Sequence, residues 1–172
     1  MKKPAFTLIE ILLYTAIVGI ILLSMSGFII DIIDSKAKND ANLEIQNNAN
    51  QVMERIIQDI HNAQSIIPQI SDQILVLNMA DMPSIDLVFY IVLNNRIYIW
   101  PDAPNGEPIP LTSEKVLISN FSFNVISDGG INPIYPENPI IQTKFDITHI
   151  GIGSKYNTKM TFQNSAEIRS LQ

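Results

Sequence analysis

One carboxylate stands where few sequences place one. Glu10 lies between Phe6-Thr7-Leu8-Ile9 and Ile11-Leu12-Leu13, at the head of the run ILLYTAIVGIILLSMSGFII from Ile11 to Ile30. Those 20 residues carry no charge. As a helix they would cover about 30 Å, the hydrocarbon thickness of a bilayer. An unpaired carboxylate at mid-bilayer costs ~2.5–3.5 kcal/mol on insertion scales, and less near the interface. Two readings are open. Glu10 is either a boundary charge at the headgroups, or half of an ion pair whose cation comes from another molecule.

Other groups that could do chemistry are sparse. The two histidines, His61 and His149, have no metal-ligand spacing, and no HExxH occurs. Asp102, Asn105 and Glu107 share a proline-rich loop and offer hard oxygen ligands of the kind calcium takes, or are simply solvated. Gly151-Ile152-Gly153 lacks the third glycine of a dinucleotide fingerprint and reads as a loop. Asn120-Phe121-Ser122 is a glycosylation triplet lying in an expected strand. Tyr90, Tyr98 and Trp100 read as sheet core. There is no GxSxG or Walker motif. Cysteine is absent, which removes disulfides, thiolate metal sites and cysteine nucleophiles together. No general base pairs with a nucleophile at readable spacing, so no enzyme and no cofactor is expected.

The elements that must hold these groups follow from periodicity. No Gly or Pro occurs between Phe28 and Ile67. Beyond the apolar run, Ile45, Ala49, Val52, Ile56, Ile60, Ala63 and Ile67 recur at steps of three and four, one face of a helix. A single helix is expected from about Phe6 to Ile66, apolar first and amphipathic second, stopping before Pro68. Gly27 is a weak point within it. After Pro68 the pattern turns to short strands: Gln73–Met79, Ile85–Leu93, Arg96–Trp100, Lys115–Ile118, Phe121–Ile126, Ile140–Ile150 and Thr158–Ser165. Asn94-Asn95 should close a tight hairpin. The stretches 101–110 and 128–139 should be loops, the first with four prolines and the second opening on Asp128-Gly129-Gly130. Helix first and strands after is an α+β pattern, a long helix packed on an antiparallel sheet.

Composition agrees. The chain of 172 residues is 47% hydrophobic and only 16% charged, which excludes global disorder. Its formal charge of −6 gives no general attraction to nucleic acid. Lys2 and Lys3 before the apolar run, with Asp31 and Asp34 after it, orient the N-terminus toward the cytoplasm by the positive-inside rule. The run is too long for the core of a signal peptide.

Lys3-Pro4-Ala5-Phe6-Thr7-Leu8-Ile9-Glu10 followed by an apolar helix resembles the N-terminus of the type IV pilin and type II secretion pseudopilin superfamily. The resemblance covers roughly Lys2 to Leu23. It implies a leader of residues 1–5, cleaved by prepilin peptidase between Ala5 and Phe6. It also implies N-methylation of Phe6, a membrane and polymerisation helix over 6–33, and an extracytoplasmic pilin-like domain over 34–172. Glu10 takes the place of the family's intramembrane glutamate, which pairs with the terminal amine of a neighbouring subunit. Ala5 departs from the usual glycine before the cut. The segment Gln51–Ala63, with Asp59, and the closing Met160–Arg169 are similar to J-type minor pseudopilins and W-type minor pilins. The implied partners are other pilin or pseudopilin subunits, prepilin peptidase, an inner-membrane assembly platform and membrane lipid. The rival expectation is an anchored extracytoplasmic binding or adhesive domain at a fibre tip.

Overall fold

The computed structural model describes residues 7–67, 71–79, 86–101, 105–126, 139–150 and 158–168. It divides into two compact units, Met1–Asp40 and Ala41–Gln172. Helix α1, Leu8–Asn62, supplies residues to both. The architecture is α+β: among the described residues, α1 is followed by eight strands in two antiparallel sheets.

In the first unit the helix buries nothing. In the second it buries Ala41, Ile45, Asn48, Ala49, Val52, Met53, Ile56, Asp59 and Ile60, the three-and-four spacing expected of one face. The helix ends four residues short of the expected Ile66. Ala63 N donates to Ile60 O in a tightened last turn, and Gln64 N then donates to Asn78 O. Strand β1, Ser65–Ile67, pairs with β2, Ile74–Asn78. The β-branched pair Ile66-Ile67 gains a ladder with β2, and that pairing, rather than Pro68, sets the stop.

The first sheet runs β1-β2-β3-β4-β5, with β3 at Leu87–Leu93, β4 at Arg96–Trp100 and β5 at Ile109–Pro110. Asn94 and Asn95 have φ of 50° and 59°, so the β3–β4 hairpin is the two-residue type I′ turn that matches strand twist. The second sheet runs β6-β7-β8: Val116–Ile126, Ile140–His149 and Lys159–Glu167. The two strands expected at 115–118 and 121–126 are one strand, β6, with a bulge. Its register against β7 shifts between Ser119 and Ser122, and Asn120 takes φ 51° there. The short strands β1 and β5 were not expected, β5 because Pro110 lies in it at a sheet edge. The expected Asp128-Gly129-Gly130 opening and Gly151–Gly153 lie outside the described residues.

One core serves the second unit. Ile45, Ile56 and Ile60 of α1 share it with Tyr90 of β3, Phe121 and Phe123 of β6, and Phe145 of β7. Phe121 meets Phe123 edge-on at 4.7 Å. The sheets are joined by backbone bonds, Ile118 N to Asn95 O and Phe123 N to Asp72 O, both 2.7 Å.

Three polar ties fix this packing. Tyr90 Oη donates to Asp59 Oδ2 at 2.5 Å, and Arg55 Nε donates to the same oxygen at 3.0 Å. Burial, and then the bond to Asp59, push the Tyr90 phenol far above its ordinary range, so it remains a donor. Ser113 N donates to Asn48 Oδ1 at 2.7 Å and Ser113 Oγ to Glu44 Oε1 at 2.9 Å. The Ser113 hydroxyl, chiefly, holds the Glu44 carboxyl below its usual value.

The third tie is at the bulge. Asp146, 5% exposed, accepts from Lys159 Nζ at 2.8 Å, Thr161 Oγ1 at 2.6 Å and Asn120 Nδ2 at 2.6 Å. Lys159 first, then the two neutral donors, lower its pKa to about 2. A depressed folded-state pKa stabilises above the unfolded value near 4 and is lost as pH falls through the folded one. Acid unfolding of the detergent-solubilised chain should therefore show a component between about pH 4 and pH 2, worth about 1–2 kcal/mol after discounting for the half-exposed Lys159. Asp146→Asn should remove that component. An acid profile identical to wild type would contradict it.

Candidate functional site: the N-terminal helix

None of the apolar run of α1 is buried, and the helix is long and apolar enough to cross a membrane. Its polar residues are arranged for such a place. Thr15 Oγ1 donates back to the carbonyls of Ile11 and Leu12, Ser24 Oγ to Ile21 O, and Ser26 Oγ to Leu22 O. These three hydroxyls are each satisfied on their own helix, as water-free surroundings require. The helix is continuous through Gly19 and Gly27, and an added Cβ at either would meet nothing within 4 Å. The weak point at Gly27 does not break it.

Glu10 sits in the first turn, exposed. Thr7 N and Thr7 Oγ1 both donate to Glu10 Oε2 at 3.1 Å, and Glu10 N donates to Thr7 Oγ1 at 3.4 Å. This is a reciprocal capping box: Thr7 caps the helix and Glu10 returns the favour from the third position. Two consequences follow. The carboxylate lies at the positive end of the helix dipole, where negative charge is favoured. Only Oε2 is occupied among the described residues, which leaves Oε1 able to accept from an incoming cation. The Thr7-x-x-Glu10 spacing is itself the sequence signal of such a box.

The other sequence candidates scatter. Ala5 and Phe6 lie outside the described residues, as does Asp102. Asn105 and Glu107 are exposed, and no metal-holding group of His, Cys, Asp or Glu exists among the described residues. His61 is exposed in the last turn of α1, while His149 closes β7 with a buried Nδ1 that has no partner among the described residues. Asn120 of the glycosylation triplet is committed to Asp146 at the bulge. Asp59 is a core anchor bound to Arg55 and Tyr90. Of the three aromatics expected in the sheet core, only Tyr90 is there, fully buried. Tyr98 and Trp100 are opposite in parity to the buried Ile97 and Ile99, so they lie on the other face of β4, partly exposed.

The N-terminal arrangement is an uncovered apolar helix with one oriented carboxylate at its head. Set against protein-family models, curated proteins and solved structures, the chain matches none.

Proposed function

We propose that this chain is a minor pilin or pseudopilin, a structural subunit that assembles through its N-terminal helix into a type IV pilus or a type II secretion pseudopilus. On this reading prepilin peptidase cuts between Ala5 and Phe6 and Phe6 is methylated. The helix over 6–33 anchors the subunit once in the inner membrane, and the body over 34–172 lies on the extracytoplasmic side until assembly draws it into a fibre. Glu10 then receives the Phe6 amine of a neighbour.

The observation that carries this reading is the head of α1. A carboxylate is held on one oxygen by the helix cap, at the head of an apolar run of which nothing is buried. The α+β body with its helix packed by an amphipathic second half is compatible with it.

Affinity isolation of the tagged full chain from detergent extracts of native membranes tests the reading. Other chains bearing a basic leader and an apolar N-terminal helix should co-isolate. Recovery of the chain alone, or with one selective soluble ligand, would favour the tip-binding domain instead.

A further inference from the structure

A cleft of about 500 Å³ opens where the β3–β4 hairpin meets the bulge of β6. Its volume falls within the range of about 300–1,000 Å³ that small-molecule sites occupy. Its polar lining is uncharged: Gln73 before β2, Asn94 and Asn95 of the hairpin, and Ser119 and Asn120 at the bulge. The buried Ile118 and Phe121 supply an apolar base. No charged side chain lines the cleft among the described residues.

The backbone marks the same place. Asn94, Asn95 and Asn120, with φ of 50°, 59° and 51°, are the non-glycine residues of positive φ among the described residues, and all three line the cleft. Asparagine takes this conformation more readily than most residues, but glycine takes it at less cost. Turn and bulge geometry therefore does not by itself call for three amides. Two of them have structural partners: Asn95 Nδ2 donates to Ile118 O at 3.1 Å, and Asn120 Nδ2 to Asp146 Oδ2 at 2.6 Å. These bonds fix each amide plane and leave each Oδ1 as an acceptor with no partner among the described residues. The side chains of Gln73, Asn94 and Ser119 make no hydrogen bond among the described residues.

The lining selects its ligand by exclusion and by fit. A carboxylate, phosphate or ammonium would lose hydration here and gain no counter-charge. An extended peptide needs an open strand edge, and the backbone at the cleft is already committed: Ile118 N donates to Asn95 O and Phe123 N to Asp72 O, both at 2.7 Å. What remains is amide and hydroxyl groups, able to donate and to accept, above apolar side chains. A sugar ring has the matching surface, with hydroxyls that donate and accept around an apolar C–H face. We infer that this cleft is a binding site for a neutral saccharide. It uses no residue of α1, so it goes beyond the assembly reading and does not depend on it.

An open site and a ligand of about a dozen non-hydrogen atoms set the expected Kd on the order of 1 mM. The full chain, held in a detergent without a sugar headgroup, is titrated with the methyl pyranosides of glucose, galactose and mannose and with N-acetylglucosamine. Each is taken to about 10 mM, roughly tenfold above that Kd, and saturation transfer to the sugar protons is read by NMR. At least one sugar should bind, and the epimers should differ. Asn94→Gly combined with Gln73→Ala should weaken that binding roughly tenfold, the loss of two hydrogen bonds. Both residues are exposed and glycine suits the turn at 94, so the denaturation midpoint should stay unchanged. Gln163→Ala, which removes an exposed amide on β8, should leave binding intact. No transfer to any of these sugars, equal transfer to glucuronic acid, or binding that survives the double substitution would each overturn the inference. The N-terminal mass of the chain reads the assembly proposal separately, so either can fail alone.

Discussion

Replacing Asp59 with Ala should cost the folded chain ~2–4 kcal/mol, the largest stability loss expected from any single polar side chain here. Asp59 is 6% exposed and takes two donors on one oxygen. One donor, Tyr90, is completely buried and would be left with only the Arg55 carbonyl at 3.5 Å, at the limit of a hydrogen bond. The other, Arg55, is half exposed and can turn to water, so no charge is stranded. The loss is therefore that of a charged hydrogen bond plus an orphaned phenol, below the cost of a stranded buried charge. Asp59→Asn should recover part of it, since an amide oxygen still accepts. The pair Asp59→Leu with Tyr90→Phe should be milder than Asp59→Leu alone, because no donor is then left without an acceptor. Chemical denaturation of the detergent-solubilised variants measures all of these. Equal losses in the single and double variants would show that the bond contributes nothing.

On the proposed assembly reading, the second large effect is on incorporation into a fibre. Glu10→Leu should leave membrane insertion intact or improved, since it removes a charge that costs ~2.5–3.5 kcal/mol at mid-bilayer. It also breaks the capping box, a loss of about 0.5–2 kcal/mol confined to the first turn. Incorporation into a fibre should nonetheless collapse. In a bundle of subunits, an incoming Phe6 amine enters low dielectric beside an apolar helix, and leaving that cation unpaired costs several kcal/mol. Asp at position 10 should rescue partly, being ionised but one methylene shorter. Thr7→Val separates the two roles of Glu10: it removes the side-chain half of the box while leaving the carboxylate, so assembly should fall much less than with Glu10→Leu. Crosslinking to partner subunits, normalised to membrane abundance, reads each variant. Assembly of Glu10→Leu at the wild-type level would leave Glu10 as a boundary charge.

The features legible in the sequence were those with a strong local signal. The α1 stripe from Ile45 to Ile60 was visible because a buried helix face repeats every three to four residues. The Asn94-Asn95 hairpin was visible because few residues other than Gly and Asn tolerate positive φ at both turn positions. The strand at Phe121–Ile126 was visible in the sequence, yet its continuity with Lys115–Ile118 was not. A bulge at Asn120 inverts the parity, and its cause is a non-local carboxylate, Asp146, 26 residues away. The helix end was misplaced for the same kind of reason: Ile66 and Ile67 extend the helical pattern in sequence but pair with Leu77 and Val76 in space. The placement of Tyr98 and Trp100 failed on face, not on element. Residues 97–100 of β4 are all apolar, and the one parity signal is Arg96 at the strand's start, on the same side as Tyr98 and Trp100 and opposite to the buried Ile97 and Ile99.

Mass spectrometry of the chain extracted from the membranes of its native host bears most directly on the assembly reading. The mature protein should begin at Phe6 with one methyl group on its amine, lacking Lys2 and Lys3 and therefore carrying a side-chain charge of −8 in place of −6. A chain that retains Met1, or one cut after the apolar run so that Glu10 is lost with it, would contradict the account.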